Sequence, residues 1–175
     1  MLIVAVVGLA RSGKDTVAGF LEKEGFFRAD FFRNVMVPLM EEQGIKQTKE
    51  RAYAFGNQMR AKFGMGVFGE KMAQLVRGKE KVVVTGARSL EELKPLEEMA
   101  SRFFIVRVEA CEEKRFARRS GLDPAERADF FRRDRDDIEK KGLNEVLKAA
   151  DFVVSNDSSL GELEMRVNAL MKRFK

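Results

Sequence analysis

Apolar positions in this chain fall into five short runs separated by longer amphipathic or charged stretches. Leu2 to Val7 is almost continuously apolar and ends at Gly8, the pattern of a parallel strand covered on both faces. A helix is predicted from about Gly13 through Lys23, with Gly25 stopping it and Phe26 to Ala29 forming a second strand that leads into Asp30. From Phe31 to about Gly78 the pattern is largely helical, with breaks near Gly44, around Gly64 to Gly69 and at Gly78. Lys81 to Thr85 (KVVVT) is a β-branched strand closing on Gly86, and Leu90 to Ser101 follows as an amphipathic helix. Phe103 to Val108 is a fourth strand. Glu112 to Arg119 and Pro124 to Lys140 are charged helices broken at Ser120 and Gly121, suited to an exposed, movable element. Asp151 to Ser155 is a fifth strand, and Leu160 to Phe174 a closing amphipathic helix. Strands alternating with helices imply an α/β architecture, a five-stranded parallel sheet with helices on both faces.

At 175 residues the chain has the size of a single domain, and its 45% hydrophobic and 35% charged residues are those of a globular protein. No apolar stretch reaches the roughly 20 residues of a membrane-spanning helix, so a membrane location is not expected. Met1 to Val7 lacks a basic leader region and runs straight into a glycine loop, so it reads as a strand, with nothing directing export. One cysteine, Cys111, excludes an intrachain disulfide and is read as inert packing in a reducing, cytoplasmic setting. The absence of histidine removes Ser-His and Cys-His catalysis and imidazole metal sites. Chemistry must therefore come from carboxylates, Lys, Arg, hydroxyls and backbone amides. The net charge of +5 favours anionic ligands, but the charges are interspersed, which suits phosphates better than a nucleic-acid surface.

One segment changes the picture. Gly8-Leu9-Ala10-Arg11-Ser12-Gly13-Lys14-Asp15-Thr16 follows a strand, precedes a helix and matches the G-x-x-x-x-G-K frame of a Walker A loop. In such a loop Gly8 and Gly13 allow the backbone angles that turn successive N–H groups, and the helix end behind them, onto a phosphate. Lys14 supplies a charge between the β- and γ-phosphates. Asp15 stands where Ser or Thr usually binds Mg²⁺. It can ligate the metal directly or through water, or Thr16 can supply a hydroxyl to phosphate instead.

On these residues the chain resembles the P-loop nucleotide kinases. RSGKDT is similar to the loop of some deoxynucleoside monophosphate kinases, which also carry Asp after the lysine. The order of RADFFR, VVVTGARSLEEL, FFRRDRDDIEKKG and ADFVVSND along nearly the whole chain resembles dephospho-CoA kinase and, more closely, archaeal nucleotide-kinase-like proteins of unsettled activity. The resemblance implies a P-loop kinase fold over residues 1–175, an acceptor-side helical region at about 31–78 and an arginine-bearing lid at about 115–141. It also implies ATP and Mg²⁺ as cofactors and a small nucleotide-like acceptor as partner.

By the same resemblance, Asp30 faces the acceptor hydroxyl or holds Mg²⁺ through water; read from the residues alone it is equally a helix N-cap. Relatives commonly carry a carboxylate near Thr85, and none stands here, which Asp15 is positioned to replace. Arg88, after Gly86 at the sheet edge, is a phosphate ligand, and Arg115 and Arg119, four apart, are the first lid arginines. The remaining lid arginines, Arg118, Arg127, Arg132, Arg133 and Arg135, read as a charged surface interleaved with acids. Asn156 lines the adenine pocket or caps a turn. Lys46, Lys49, Arg51 and Arg60 are candidates for an anionic acceptor and equally for solvated helix faces. The expected function is phosphoryl transfer from ATP to a nucleotide-like acceptor. The alternative is a nucleotide-responsive ATPase or switch acting through a partner, and an ATP-dependent nucleic-acid binder ranks last. No N-K-x-D string follows a strand, which argues against a GTPase.

Overall fold

The computed structural model describes residues 1–121 and 123–174, with the side chains of residues 49 and 50 outside the description. Five parallel strands lie in the order β2-β3-β1-β4-β5. They are β1 (Leu2–Val7), β2 (Phe27–Asp30), β3 (Lys81–Thr85), β4 (Arg102–Glu109) and β5 (Phe152–Ser155). β1 is central, pairing Val4 with Val83 on one side and with Phe104 on the other. The chain leaves β1 toward β2 and β3, then crosses to β4 and β5, so the carboxyl end of β1 is a topological switch point where open α/β sheets bind ligands.

Period-two alternation in β1 sorts its side chains between two cores. Ile3, Ala5 and Val7 pack with Val82 and Val84 against α3 (Lys49–Phe63), α4 (Val67–Val76), α5 (Leu90–Met99) and α8 (Leu143–Lys148). Leu2, Val4 and Val6 pack with Val83, Val106 and Val154 against α1 (Lys14–Lys23) and α9 (Leu160–Met171). Leu96 of α5 is fully buried in the first core, so Leu96→Ala should cost about 2–5 kcal/mol.

The predicted strands and helices match within a few residues. Two differences have physical causes. α8 was not anticipated, because six residues after Gly142 hold too few helical turns for a period to show. α6 (Glu112–Ala117) ends before Arg119, so the helical face predicted for Arg115 and Arg119 does not extend that far. After β2 the chain forms a π-helical turn, Phe31–Met36, that runs into α2 (Val37–Glu42). Asp30 caps it by accepting from the Arg33 N–H at 2.8 Å, and the Asn34 amide oxygen accepts from the Asp30 N–H at 2.7 Å. α7 (Arg127–Lys141) carries Phe130 and Phe131 onto Phe116 of α6, giving this segment a small aromatic core of its own. Cys111 is exposed rather than packed, so that expectation is corrected.

Candidate active site

The Gly8 to Thr16 loop crosses from the end of β1 to the start of α1. A Cβ on Gly8 would stand 2.5 Å from the Val108 carbonyl, and one on Gly13 (φ 101°) would collide with the Asn156 amide, so both positions exclude any side chain. Gly13 is the N-cap of α1 and offers no side-chain cap, which leaves the first N–H groups of the helix open to a ligand. Arg11 has φ 61°, a left-handed conformation that costs a non-glycine residue on the order of 1 kcal/mol. Its side chain holds it there, with Nε donating to Asp123 at 2.7 Å and a terminal nitrogen to Ser120 Oγ at 2.6 Å.

Lys14 is half-buried and has no hydrogen bond or ion pair among the described residues. Burial lowers its pKa most. Asp15 and Asp30 oppose that effect, and Arg88 and Arg133 add to it. The charges that act on the loop lysine are thus Asp15 of α1, Asp30 of β2, Arg88 just past β3 and Arg133 of α7. Asp30, a candidate site residue, is the cap of the π-helical turn. One oxygen accepts from Arg33 N–H and the other from Thr85 Oγ at 2.8 Å, so the carboxylate missing at the end of β3 stands one strand away, held by Thr85. Asp15 is exposed, with Arg28 at 3.3 Å. Arg33 is exposed.

The lid arginines divide sharply. Arg115 is 3% exposed and donates to Asp134 of α7 at 2.5 Å and to the Ala10 carbonyl at 3.1 Å, while the Ala10 N–H donates to the other Asp134 oxygen at 3.3 Å. This pair clasps the loop at both backbone groups of Ala10. Arg119 lies exposed against its own turn, with its guanidinium 4.0 Å from the Phe116 ring and a nitrogen on the Phe116 carbonyl. Arg133, assigned above to the charged surface, pairs with Asp123 at 3.2 Å and acts electrostatically on Lys14. Burial raises the Asp123 pKa, but the Ser120 N–H, Arg11 and Arg133 more than offset it and hold the carboxyl at about 2.

Asn156 is buried beneath the loop, its side-chain amide donating to the Ser12 carbonyl at 2.8 Å and its backbone carbonyl accepting from Arg118 at 2.7 Å. Its side chain thus supports the loop from below. On the acceptor side, Arg60 is inward-facing and meets fully buried Glu92 at 2.6 Å. The second Glu92 oxygen accepts from the Arg88 N–H at 2.8 Å. Nothing in the run LEEL marked Glu92 as a core residue. Lys46 and Arg51 are both exposed, and the Lys49 side chain lies outside the described residues. Among the described residues no group of three or more acidic, Cys or His side chains is placed to hold a metal ion, and no helix is long and apolar enough to cross a membrane.

The sheet order and the glycine loop at its switch point define a P-loop kinase fold. Shikimate kinase from Bacteroides thetaiotaomicron superposes with a TM-score of 0.62 over 98% of both chains at 17% identity. Shikimate kinase from Aquifex aeolicus does so with 0.57 over 97% of this chain and 96% of that one, at 18% identity. No family model matches the chain. The chain belongs to the UPF0200 family: it is 30% identical to a UPF0200 protein of Pyrobaculum aerophilum over 174 residues, 97% of this chain and 96% of the relative. A UPF0200 protein of Aeropyrum pernix is likewise 30% identical over 168 residues, 93% of this chain and 88% of the relative.

Proposed function

We propose that the protein is a kinase that binds ATP with Mg²⁺ and transfers its terminal phosphoryl group to a small, nucleotide-like acceptor. The observation that carries this is Lys14, without a protein partner among the described residues and set in the uncapped first turn of α1, where Asp15, Asp30, Arg88 and Arg133 act on its charge. Gly8, Ala10, Arg11, Ser12, Gly13 and Thr16 would shape the phosphate cradle. Asp30 would orient the acceptor hydroxyl and take its proton as the new O–P bond forms and the γ-phosphoryl bond to ADP breaks. Each of its oxygens accepts one bond in the ligand-free protein and has a lone pair to spare.

Asp15 or Asp30 would serve as the protein carboxylate for a magnesium ion brought with the nucleotide, a hard cation that takes oxygen ligands. When bound, the ion neutralises charge on the β- and γ-phosphates. The segment 115–141 is the proposed lid and 31–78 the proposed acceptor side. Arg115 would contribute by fixing the loop to α7, and Arg133 and Arg88, which act on the charge of Lys14, would help neutralise the transferring group.

The test is ADP production from Mg-ATP with and without nucleoside monophosphates, deoxynucleoside monophosphates and dephospho-CoA, with Lys14→Ala as control. Stimulation by one acceptor, lost in the control, supports the kinase and names its substrate. Slow turnover indifferent to every acceptor would instead favour the ATPase or switch reading.

A further inference from the structure

Between the end of β3, α3 and α7, two cationic nitrogens converge on a single oxygen. Arg88 donates to Asp137 Oδ1 at 2.8 Å, and Lys141 Nζ meets the same atom at 2.7 Å. Lys141 is 6% exposed and lies 4.5 Å from the centre of the Tyr53 ring, which is itself partly open to solvent. Behind them Arg60 and Glu92 neutralise each other. The cluster of Arg88, Lys141 and Asp137 therefore carries two positive charges against one negative. Burial is the main reason the Lys141 pKa is lowered, and Arg88 lowers it further, so the two cations repel each other across the shared oxygen. Arg88 commits only one nitrogen to Asp137. Its remaining guanidinium nitrogens have no partner among the described residues, and the side chain is 39% exposed.

Two donors aimed at one anionic oxygen, with charge to spare and an open guanidinium edge, have the geometry of an oxyanion site occupied from within. On the reading that this cleft receives a phosphoryl acceptor, we propose that Arg88 and Lys141 form its oxyanion subsite. Asp137 holds the place of a phosphate or carboxylate borne by the acceptor, and Tyr53 walls the space beside it. The polar face of α7 then links the two ligands, because Asp134, Asp137 and Lys141 stand at i, i+3 and i+7, touching the phosphate loop at one end and the acceptor subsite at the other.

The sign of one substitution separates this from a purely structural ion pair. In Asp137→Asn the internal competitor is removed while the shape is kept, so oxyanions should bind more tightly. Inorganic phosphate and, separately, acetate are titrated by calorimetry into the Lys14→Ala protein, whose loop no longer competes for phosphate, with and without Asp137→Asn. The expected result is a gain of about tenfold or more for one of the two anions, the scale of one charge-assisted hydrogen bond. Preference for phosphate would mark a phosphorylated acceptor and preference for acetate a carboxylate one. Equal or weaker binding of both anions after Asp137→Asn overturns the subsite. Should that variant not fold, Arg88→Met, at a partly exposed position, must lose phosphate or acetate binding by a similar factor, and unchanged binding overturns the proposal equally. ADP binding by the parent protein, measured alongside, decides the nucleotide reading independently of either outcome.

Discussion

The phosphate loop and the α6–α7 segment face one another and hold their charges in opposite ways. Among the described residues Lys14 has no partner, and the first turn of α1 is uncapped, which leaves the donors of the loop open. The cations around it are already committed: Arg115 to Asp134, Arg133 and the loop's own Arg11 to Asp123, and Arg88, just past β3, to Asp137 together with Lys141. A ligand therefore meets the loop directly but must compete with carboxylates to recruit the lid. On the proposed reading the loop would supply affinity and the opposite segment selectivity, since only an anion that outcompetes Asp123 or Asp137 would draw the arginines onto itself.

The largest effect expected from breaking this arrangement is on stability at the clasp. Arg115→Met leaves Asp134 buried and uncompensated against Ala10, which should cost about 3–5 kcal/mol in urea unfolding. The double variant Arg115→Met/Asp134→Leu should recover much of that loss, because the stranded charge goes with its partner. Arg119→Ala, by contrast, should change stability by less than about 1 kcal/mol. Equal costs for Arg115 and Arg119 would contradict the division of labour between them.

On the loop itself the effect moves from stability to affinity. Lys14→Ala should weaken ATP binding by at least about thirtyfold, roughly 2 kcal/mol, with the melting temperature nearly unchanged, since Lys14 has no partner to lose among the described residues. Retained affinity in that variant would remove the basis of the nucleotide reading. Asn156→Ala tests the support beneath the loop. Loss of its bond to the Ser12 carbonyl should cost about 1–3 kcal/mol of stability and loosen ATP binding through the loop rather than by direct contact. Calorimetry of both properties distinguishes this from a base contact, which would lower affinity at constant stability.

The same contrast explains what could be read along the chain. Every feature of the loop is contiguous: an apolar run, two glycines, a lysine and a helix start within sixteen residues, each with its own local signature. The alternating strands of β1, β3 and β4 were legible for the same reason. Partners separated by long stretches were not. Glu92 looked like one acid among several on an amphipathic helix, and only the fold shows it inside, bonded to Arg60 and the Arg88 N–H. Arg133 and Asp134 were hidden in a run of alternating charges where composition favours a solvated face. The spacing of Asp134, Asp137 and Lys141 did carry a helical period, but polar periodicity on a helix more often marks its solvent side. The shared face read for Arg115 and Arg119 assumed a helix that stops at Ala117.

The smallest expected effect bears on the lid's internal competitor. Asp123 has its carboxyl lowered from an ordinary 3.8 to about 2 by the Ser120 N–H, Arg11 and Arg133, against the opposing effect of burial. A depressed carboxylate pKa stabilises the fold fully above the unfolded value and loses that contribution as pH falls through the folded one. Between about pH 4 and pH 2 the parent protein should therefore lose on the order of 1 kcal/mol more stability than Asp123→Asn, or about 2–4 °C in melting temperature. ATP should flatten this difference, because a triphosphate that draws Arg11 and Arg133 away leaves Asp123 nearer its ordinary pKa. Parallel acid profiles for the two proteins without ligand would mean that Arg11 and Arg133 are not held by Asp123, and the contrast between an open loop and a pre-committed lid would then rest on Arg115 and Asp137 alone.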